Sequence, residues 1–347
     1  MTKKFLATCV SASLAASMLF TGCGSDKLDS SASLVTVGSE TIVDLGYGNF
    51  AAKFNQAVYD QIYVSYFGSV MWDQEMGEEG TMEDSVKKQI LDDLETYYVS
   101  GLHAADYDVA LTEEQESSIA EAAKTFMEKN TEEALTQMGA TEEYAVRYMK
   151  EQTVANMLRK KVEAEAEVSI SDEEAIQSSI SYVLYESTKT DDSGNSVDLS
   201  KDELVALRTS ATALATADDF DAEAENQGVT VSTYSFTKAA DASEDTTLGE
   251  TVIAEAKKLS NGQTSPVIEV EGKGLYVVRM DSVEDDEATA TKRENLEKDA
   301  RSSYYNDKLK EWKDAIDWKV DDKQWSKVTF KKYFTSVETT DETTSEE

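Results

Sequence analysis

The spacing of apolar residues changes character along this 347-residue chain, and that change limits the folds open to it. From residue 46 to 166 apolar side chains recur every three or four residues, as one face of a helix requires. After "VSISDEE" the spacing drops to two, in β-branched and aromatic runs such as "SISYVLYES" (179–187). Helical spacing returns from about Asp285. This order predicts an α+β chain in which a mixed unit interrupts a helical one.

Within the helical part, Phe50, Phe54, Val58, Ile62 and Tyr66 stack every four residues and predict a long helix with that stripe inward. Gly77 and Gly80 break it. Thr81 opens a second helix, whose apolar side carries Val86, Ile90, Leu94 and Leu102. "LTEEQ" has the form of a capping box, with Thr112 as N-cap and Gln115 three residues on, and predicts a helix reaching Asn130. Thr141 opens another, striped by Tyr144, Tyr148, Ala155, Leu158 and Val162. Ahead of them, "LVTVGSETIVDL" (34–45) alternates around Gly38-Ser39 as a hairpin does. Such helices hold only when their stripes pack together.

The mixed part reads as a strand at 179–187 and an exposed loop in "TKTDDSGNSVD". Helical spacing follows at 200–217 and in "DDFDAEAENQG", then a strand in "VTVSTYSF" (229–236) and a short helix in "GETVIAEAKKL" (249–259). "NGQTSPV" turns around Pro266, the single proline, and "GKGLYVVRM" (272–280) starts a closing strand that runs to 283. Beyond it come a polar helix carrying Leu296, Tyr304, Leu309 and Trp312, then "DWKVDDKQWSKVTF", and an acidic Ser/Thr-rich tail with a disordered composition.

The N-terminus is more specific. "MTKKFLATCVSASLAASMLFTGCGSDK" has a basic start, an apolar stretch from Phe5 to Phe20, and small residues before Cys23. The stretch is too short and too rich in Ser and Ala to span a membrane, so it reads as an export signal. "LFTGC" resembles a bacterial lipobox, which implies removal of residues 1–22 and a lipid on Cys23. Residues 24–33 then form a polar tether. Cys9 is discarded with the signal, so no thiol remains for a disulfide, a metal or a nucleophile. His103, the single histidine, sits at a helix end, and with it alone no zinc site can be assembled.

The formal charge of −36 argues against nucleic acid and against docking on anionic lipid by charge. It favours solubility and attraction to cationic, unfolded polypeptide. Neither a paired-carboxylate spacing nor a phosphate-binding glycine loop is present, and no cofactor is implied.

Several stretches together resemble a family, the PrsA-like and SurA-like extracytoplasmic foldases, which join a helical chaperone lobe to a parvulin-type (rotamase) prolyl isomerase domain. "ALTEEQ" and "MGATEEYAVRYMKEQTVANMLRKKVEAEAEVSISDEEA" resemble the helical lobe. "ADDFDAEAENQG", "AKKLSNGQTSPV" and "GKGLYVVRM" resemble parvulin segments, and "IDWKVDDKQWSKV" resembles the family's final segment. The resemblance implies a helical chaperone domain at 34–170, a parvulin-like domain at 175–285, a C-terminal helix and segment at 286–335 packing on the helical lobe, and a tail at 336–347.

It also implies where chemistry would sit. Parvulins keep a histidine on the first strand and another on the last; the matching positions here are Tyr182 and Tyr276. The family's methionine and aromatic pocket residues fall near Leu248 and Val252, and "VTVSTYSF" offers no counterpart to the central Asp or Cys. The site therefore departs from the pattern of the isomerase (EC 5.2.1.8), and three readings stay open. One is a lipid-anchored chaperone on the outer face of the cell membrane, assisting secreted proteins with a weak or inactive isomerase domain. The second is an active isomerase with a variant site, and the third a non-catalytic scaffold lipoprotein. For the first, Phe50, Phe54, Tyr63, Tyr66, Phe67 and Trp72 are either the lobe's core or a surface for unfolded clients.

Overall fold

A computed structural model describes residues 28–77 and 80–334. The expected export signal, Cys23, residues 24–27 of the expected tether and the tail at 336–347 lie outside the described residues. The described residues divide into two compact units, one drawn from 28–166 and 303–334 and the other from 167–302. The rest of the expected tether, 28–33, is instead part of the first unit: Leu28 and Ala32 pack against its core and Ser33 opens its first strand. The architecture is α+β.

In the first unit, β1 (Ser33–Val37) and β2 (Glu40–Asp44) form the expected hairpin, and β9 (Trp318–Val320) pairs with β1 to give a sheet of order β2-β1-β9. The helices are α1 (Leu45–Phe67), α2 (Met82–His103), α3 (Glu113–Lys129), α4 (Glu132–Met138) and α5 (Glu142–Glu165). Their starts follow from side chains that satisfy the first free N–H groups. Asp44 accepts from Tyr47 N, and Thr81 and Thr112 each complete a capping box, the latter with Gln115 as the sequence predicts. The core centres on Phe50, whose ring lies 5.9–6.2 Å from those of Phe54, Phe126, Tyr144 and Tyr148. Aromatic pairs at this spacing add about 1 kcal/mol each beyond the area they bury.

The inward stripe of α1 is not the one its apolar spacing predicts. Asn49, Lys53, Gln56, Asp60 and Tyr63 are buried, whereas Ile62 and Tyr66 are exposed. The buried polar groups hold the end of the chain: Lys53 Nζ donates to Thr329 O, Gln56 Nε2 to Lys332 O (2.8 Å), and Asp60 Oδ2 accepts from Phe334 N (2.7 Å). Val328, Phe330 and Phe334 are buried alongside them. α2 also departs from expectation at its end, where Leu102 is exposed.

The second unit is built on a four-stranded antiparallel sheet of order β6-β3-β8-β7, from β3 (Gln177–Glu186), β6 (Ser232–Thr237), β7 (Ile268–Val270) and β8 (Gly274–Ser282). A short helix α6 (Asp172–Ala175) precedes it. The expected loop after β3 contains a small hairpin, β4 (Thr188–Thr190) with β5 (Ser196–Asp198), closed by Asp191, which accepts from Ser193 N and Asn195 N. One face of the sheet packs Val183, Tyr185, Leu275 and Val277 against α7 (Lys201–Ala215) and α8 (Phe220–Gln227). Arg279 fastens α8 by pairing with Asp221 (2.6 Å) while lying over the Phe220 ring. The other face packs on α9 (Glu250–Ala256). The helix α10 (Asp286–Asp314) contributes to both units, and α11 (Asp322–Trp325) lies in the first. Among the described residues no helix is long and apolar enough to cross a membrane.

Candidate functional site

Strand alternation puts Ile180, Tyr182 and Leu184 of β3 on the α9 face of the second unit's sheet. Antiparallel register then sets Tyr182 opposite Val278 and Leu184 opposite Tyr276. The diagonal offset brings Tyr182 and Tyr276 together, with ring centroids 6.1 Å apart and planes tilted by 34°. These are the two positions that the resemblance singles out. Tyr276 is buried and Tyr182 half-buried.

Burial first, then the neighbouring Tyr182 and Glu186, raises the Tyr276 hydroxyl above its ordinary range. A phenol that holds its proton can donate a hydrogen bond but cannot exchange protons near neutrality as an imidazole does.

Leu248 and Val252 are also buried, packed with Ile180, Val278 and Met280 in one apolar cluster. Val252, where the resemblance expects an aromatic ring, is fully buried in this cluster.

The structure adds two residues that the sequence reading missed. Tyr234, on β6 opposite Ile180, donates its hydroxyl to Asp245 Oδ2 at 2.7 Å. Asp245 Oδ1 accepts from Thr247 N, Leu248 N and Gly249 N at 3.0, 2.8 and 3.1 Å. Burial opposes the charge on Asp245, but the Tyr234 hydroxyl and these N–H groups outweigh it and hold the carboxyl below its usual range. The pair fixes the chain entering α9, and so the position of Val252. Asp245 and Gly249 bracketing Thr246, Thr247 and Leu248 are a turn signal legible in the sequence; the partner Tyr234 is met only once the loop after β6 folds back.

In the first unit the six aromatics proposed as core or client surface separate. Phe50, Tyr63 and Trp72 are buried and Phe54 is half-buried, whereas Tyr66 and Phe67 stand in solvent at the end of α1. His103 ends α2, its ring stacked 4.5 Å from Trp312 and its Nδ1 2.9 Å from Asp106 Oδ2. Among the described residues no group of three or more His, Cys, Asp or Glu side chains converges as metal ligands do.

Residues 197–291 match the family model of the PPIC-type PPIase domain. No curated protein matches the chain. Among solved structures it is similar to the foldase protein PrsA from Streptococcus pneumoniae, at 18% identity over 70% of this chain and 88% of that one, with a TM-score of 0.29. It is also similar to peptidylprolyl isomerase (PrsA) from Bacillus cereus, at 17% identity over 73% and 95%, with a TM-score of 0.29. A third is a structure from work on PEB4 and Cj1289, two SurA-like chaperones of Campylobacter jejuni, at 12% identity over 84% and 99%, with a TM-score of 0.28.

Proposed function

We propose that this protein is an extracytoplasmic chaperone of the foldase type, in which a PPIC-type domain has kept its sheet and lost most of its isomerase chemistry. The observation that carries this reading is the pair Tyr182 and Tyr276 standing where the resemblance expects histidines, in a cluster that buries Val252 and Leu248 where it expects pocket residues. Rotation about a peptide bond faces a barrier of about 18–20 kcal/mol, lower for a bond to proline, and a catalyst must bind the twisted amide better than the planar one. Such preference needs a fitted slot for the proline ring and polar groups aimed at the twisted carbonyl. A buried valine and two phenols supply neither well.

Chaperone action needs no such fit. It requires apolar surface that engages unfolded chains and enough charge to keep the complex dissolved, and the chain carries a net charge of −36. Cys23 anchors the protein through lipid on the outer face of the membrane, beside polypeptides leaving the translocon. Labelling cells with palmitate tests the anchor: the natural chain is expected to take up label, and Cys23→Ser to take up none.

Two assays on the same preparation test the main reading. The protein is expected to suppress aggregation of an unfolded client at equimolar ratio. It is also expected to leave a proline-limited refolding rate within about twofold of the uncatalysed one, below 0.5 kcal/mol of transition-state stabilisation. A strong acceleration at micromolar protein would establish an active variant site instead, and a Tyr182→His/Tyr276→His chain run alongside would show what the phenols withhold. Failure to suppress aggregation would leave the scaffold reading.

A further inference from the structure

Ten large apolar side chains are exposed among the described residues, and five of them fall between positions 62 and 76. Ile62, Val64, Tyr66 and Phe67 close α1, and Met76 follows in the loop; they are 43, 42, 80, 64 and 41% exposed. A concentration of this kind marks an interaction site in a soluble protein. Gly68 ends the helix in the left-handed conformation, its N–H returning to Val64 O, and the space where a Cβ would sit there is open.

One side of the patch adjoins the core. Tyr63 packs 5.8 Å from Tyr59, 6.4 Å from Phe67 and 5.5 Å from Trp72, whose ring lies 4.6 Å from the buried Phe330. Through Tyr63, Phe67 joins a ladder of rings that reaches the core.

The stretch of chain that carries the patch is acidic in sequence. Between Lys53 and Lys87 the chain contains seven acidic residues and neither Lys nor Arg. Asp73 and Glu75, which flank the patch in sequence, are exposed. Apolar rings with carboxylates beside them fit a partner with apolar anchors and cationic neighbours.

We propose that the end of α1 is the docking site for extended polypeptide segments in which aliphatic or aromatic residues are flanked by lysine or arginine. The proposal rests on the chaperone reading above and gives it a location and a selectivity. Apolar anchors of the segment pack on Tyr66 and Phe67. Its cationic heads pair with Asp73 and Glu75, and a lysine reaching a ring face adds a cation–π contact. The apolar part persists in salt, whereas the charged part weakens as the screening length falls below about 10 Å.

The test uses the full chain and two labelled peptides that share one apolar centre, flanked by lysines in the first and by glutamates in the second. Fluorescence anisotropy is expected to show about tenfold tighter binding of the lysine peptide, lost at high salt. Tyr66→Ser/Phe67→Ser is expected to weaken that peptide about thirtyfold, as loss of two anchoring rings would. Asp73→Asn/Glu75→Gln should abolish the difference between the peptides. All four side chains are exposed, so unchanged tryptophan-monitored unfolding shows that the variants remain folded.

If Tyr66→Ser/Phe67→Ser binds normally while the natural chain suppresses aggregation, the proposal falls and the chaperone reading stands. If the natural chain neither binds the peptides nor suppresses aggregation, both fall. Dimerisation of the natural chain that this variant abolishes would assign the face to a second copy and overturn the proposal. Sedimentation with phosphatidylcholine vesicles that the variant abolishes would assign it to lipid, with the same consequence.

Discussion

Replacing Asp60 by alanine is expected to lower the stability of the first unit by about 3 kcal/mol, because the carboxylate satisfies donors that have no access to water. Asp60 is fully buried. Its Oδ1 accepts from Trp72 Nε1 at 2.6 Å, and its Oδ2 from Phe334 N at 2.7 Å and Gln56 Nε2 at 3.2 Å. Gln56 keeps Lys332 O as a partner in the variant, but the Trp72 and Phe334 N–H groups lose theirs. Each orphaned donor costs about 1–3 kcal/mol, and release from burying a charge offsets part of the sum. The rest of the clasp acts on the same segment, since Lys87 Nζ donates to Val328 O at 2.6 Å and Gln137 Nε2 to Lys332 O at 3.0 Å. Loss of Asp60 therefore loosens the end that carries Phe330 and Phe334. Trp72, Trp312, Trp318 and Trp325 all belong to the first unit, so urea unfolding followed by tryptophan fluorescence reads it alone. An unchanged midpoint would show that the carboxylate holds nothing of consequence.

The same contrast depends on pH. Burial raises the Asp60 carboxyl to about 6, against the pull of the Phe334 N–H, Trp72, Gln56 and Lys53. The folded chain thus holds that proton more tightly than the unfolded one, whose carboxyl titrates near 3.9. Stability from this group is complete below about pH 4 and declines as pH rises through 6. The stability difference between the natural chain and Asp60→Ala should shrink by about 1 kcal/mol from pH 5 to pH 7. Lys53, which burial lowers to about 8 against the carboxylates of Glu83 and Asp60, has the opposite arrangement. Its contribution is present above the unfolded lysine's value and is lost as pH falls through 8, mostly outside that interval. Lys87 and Lys332 also face Lys53.

Asp60 shows why part of the fold was hidden in the sequence. Apolar spacing finds the face of a helix that packs on other apolar groups. In α1 it finds Phe50 correctly and then follows 58, 62 and 66 outward. The face that is buried runs through Lys53, Gln56 and Asp60, which count as polar until their partners near residue 330 are known. Contacts across more than 270 residues leave no mark on local spacing. Caps are different, because a capping box closes within four residues, and Thr112 with Gln115 was legible for that reason. The candidate site divides along the same line. Alternation and resemblance single out Tyr182 and Tyr276, whereas Tyr234 meets Asp245 where the loop after β6 folds back on the strand, a return that no helix or strand period encodes.

For the second unit the largest effect is expected at Gly274, within the "GKGLYVVRM" run where the closing strand begins. Its φ of +142° is one that side chains rarely tolerate, and a Cβ there would lie 2.1 Å from Tyr185 O and 3.0 Å from Glu186 Cα and Ser187 N. All three obstacles are backbone, two in β3 and the third at Ser187 just beyond it, and Gly274 pairs with Glu186 in the β3–β8 ladder, so the two in β3 cannot yield without breaking the pairing that sets the register. Gly274→Ala is expected to cost the second unit about 3 kcal/mol, from strain together with lost ladder contacts. Gly262→Ala supplies the control: its φ is +78° but nothing lies within 4 Å, so only the backbone term of about 1 kcal/mol remains. Amide hydrogen exchange of β3 and β8 reads both variants, since tryptophan fluorescence does not report on this unit. Because β3 and β8 carry Tyr182 and Tyr276, opening the ladder should also release the Tyr276 hydroxyl from burial and let it titrate nearer an ordinary phenol. Equal protection of β3 in Gly274→Ala and Gly262→Ala would mean that the close approach at Gly274 does not set the register.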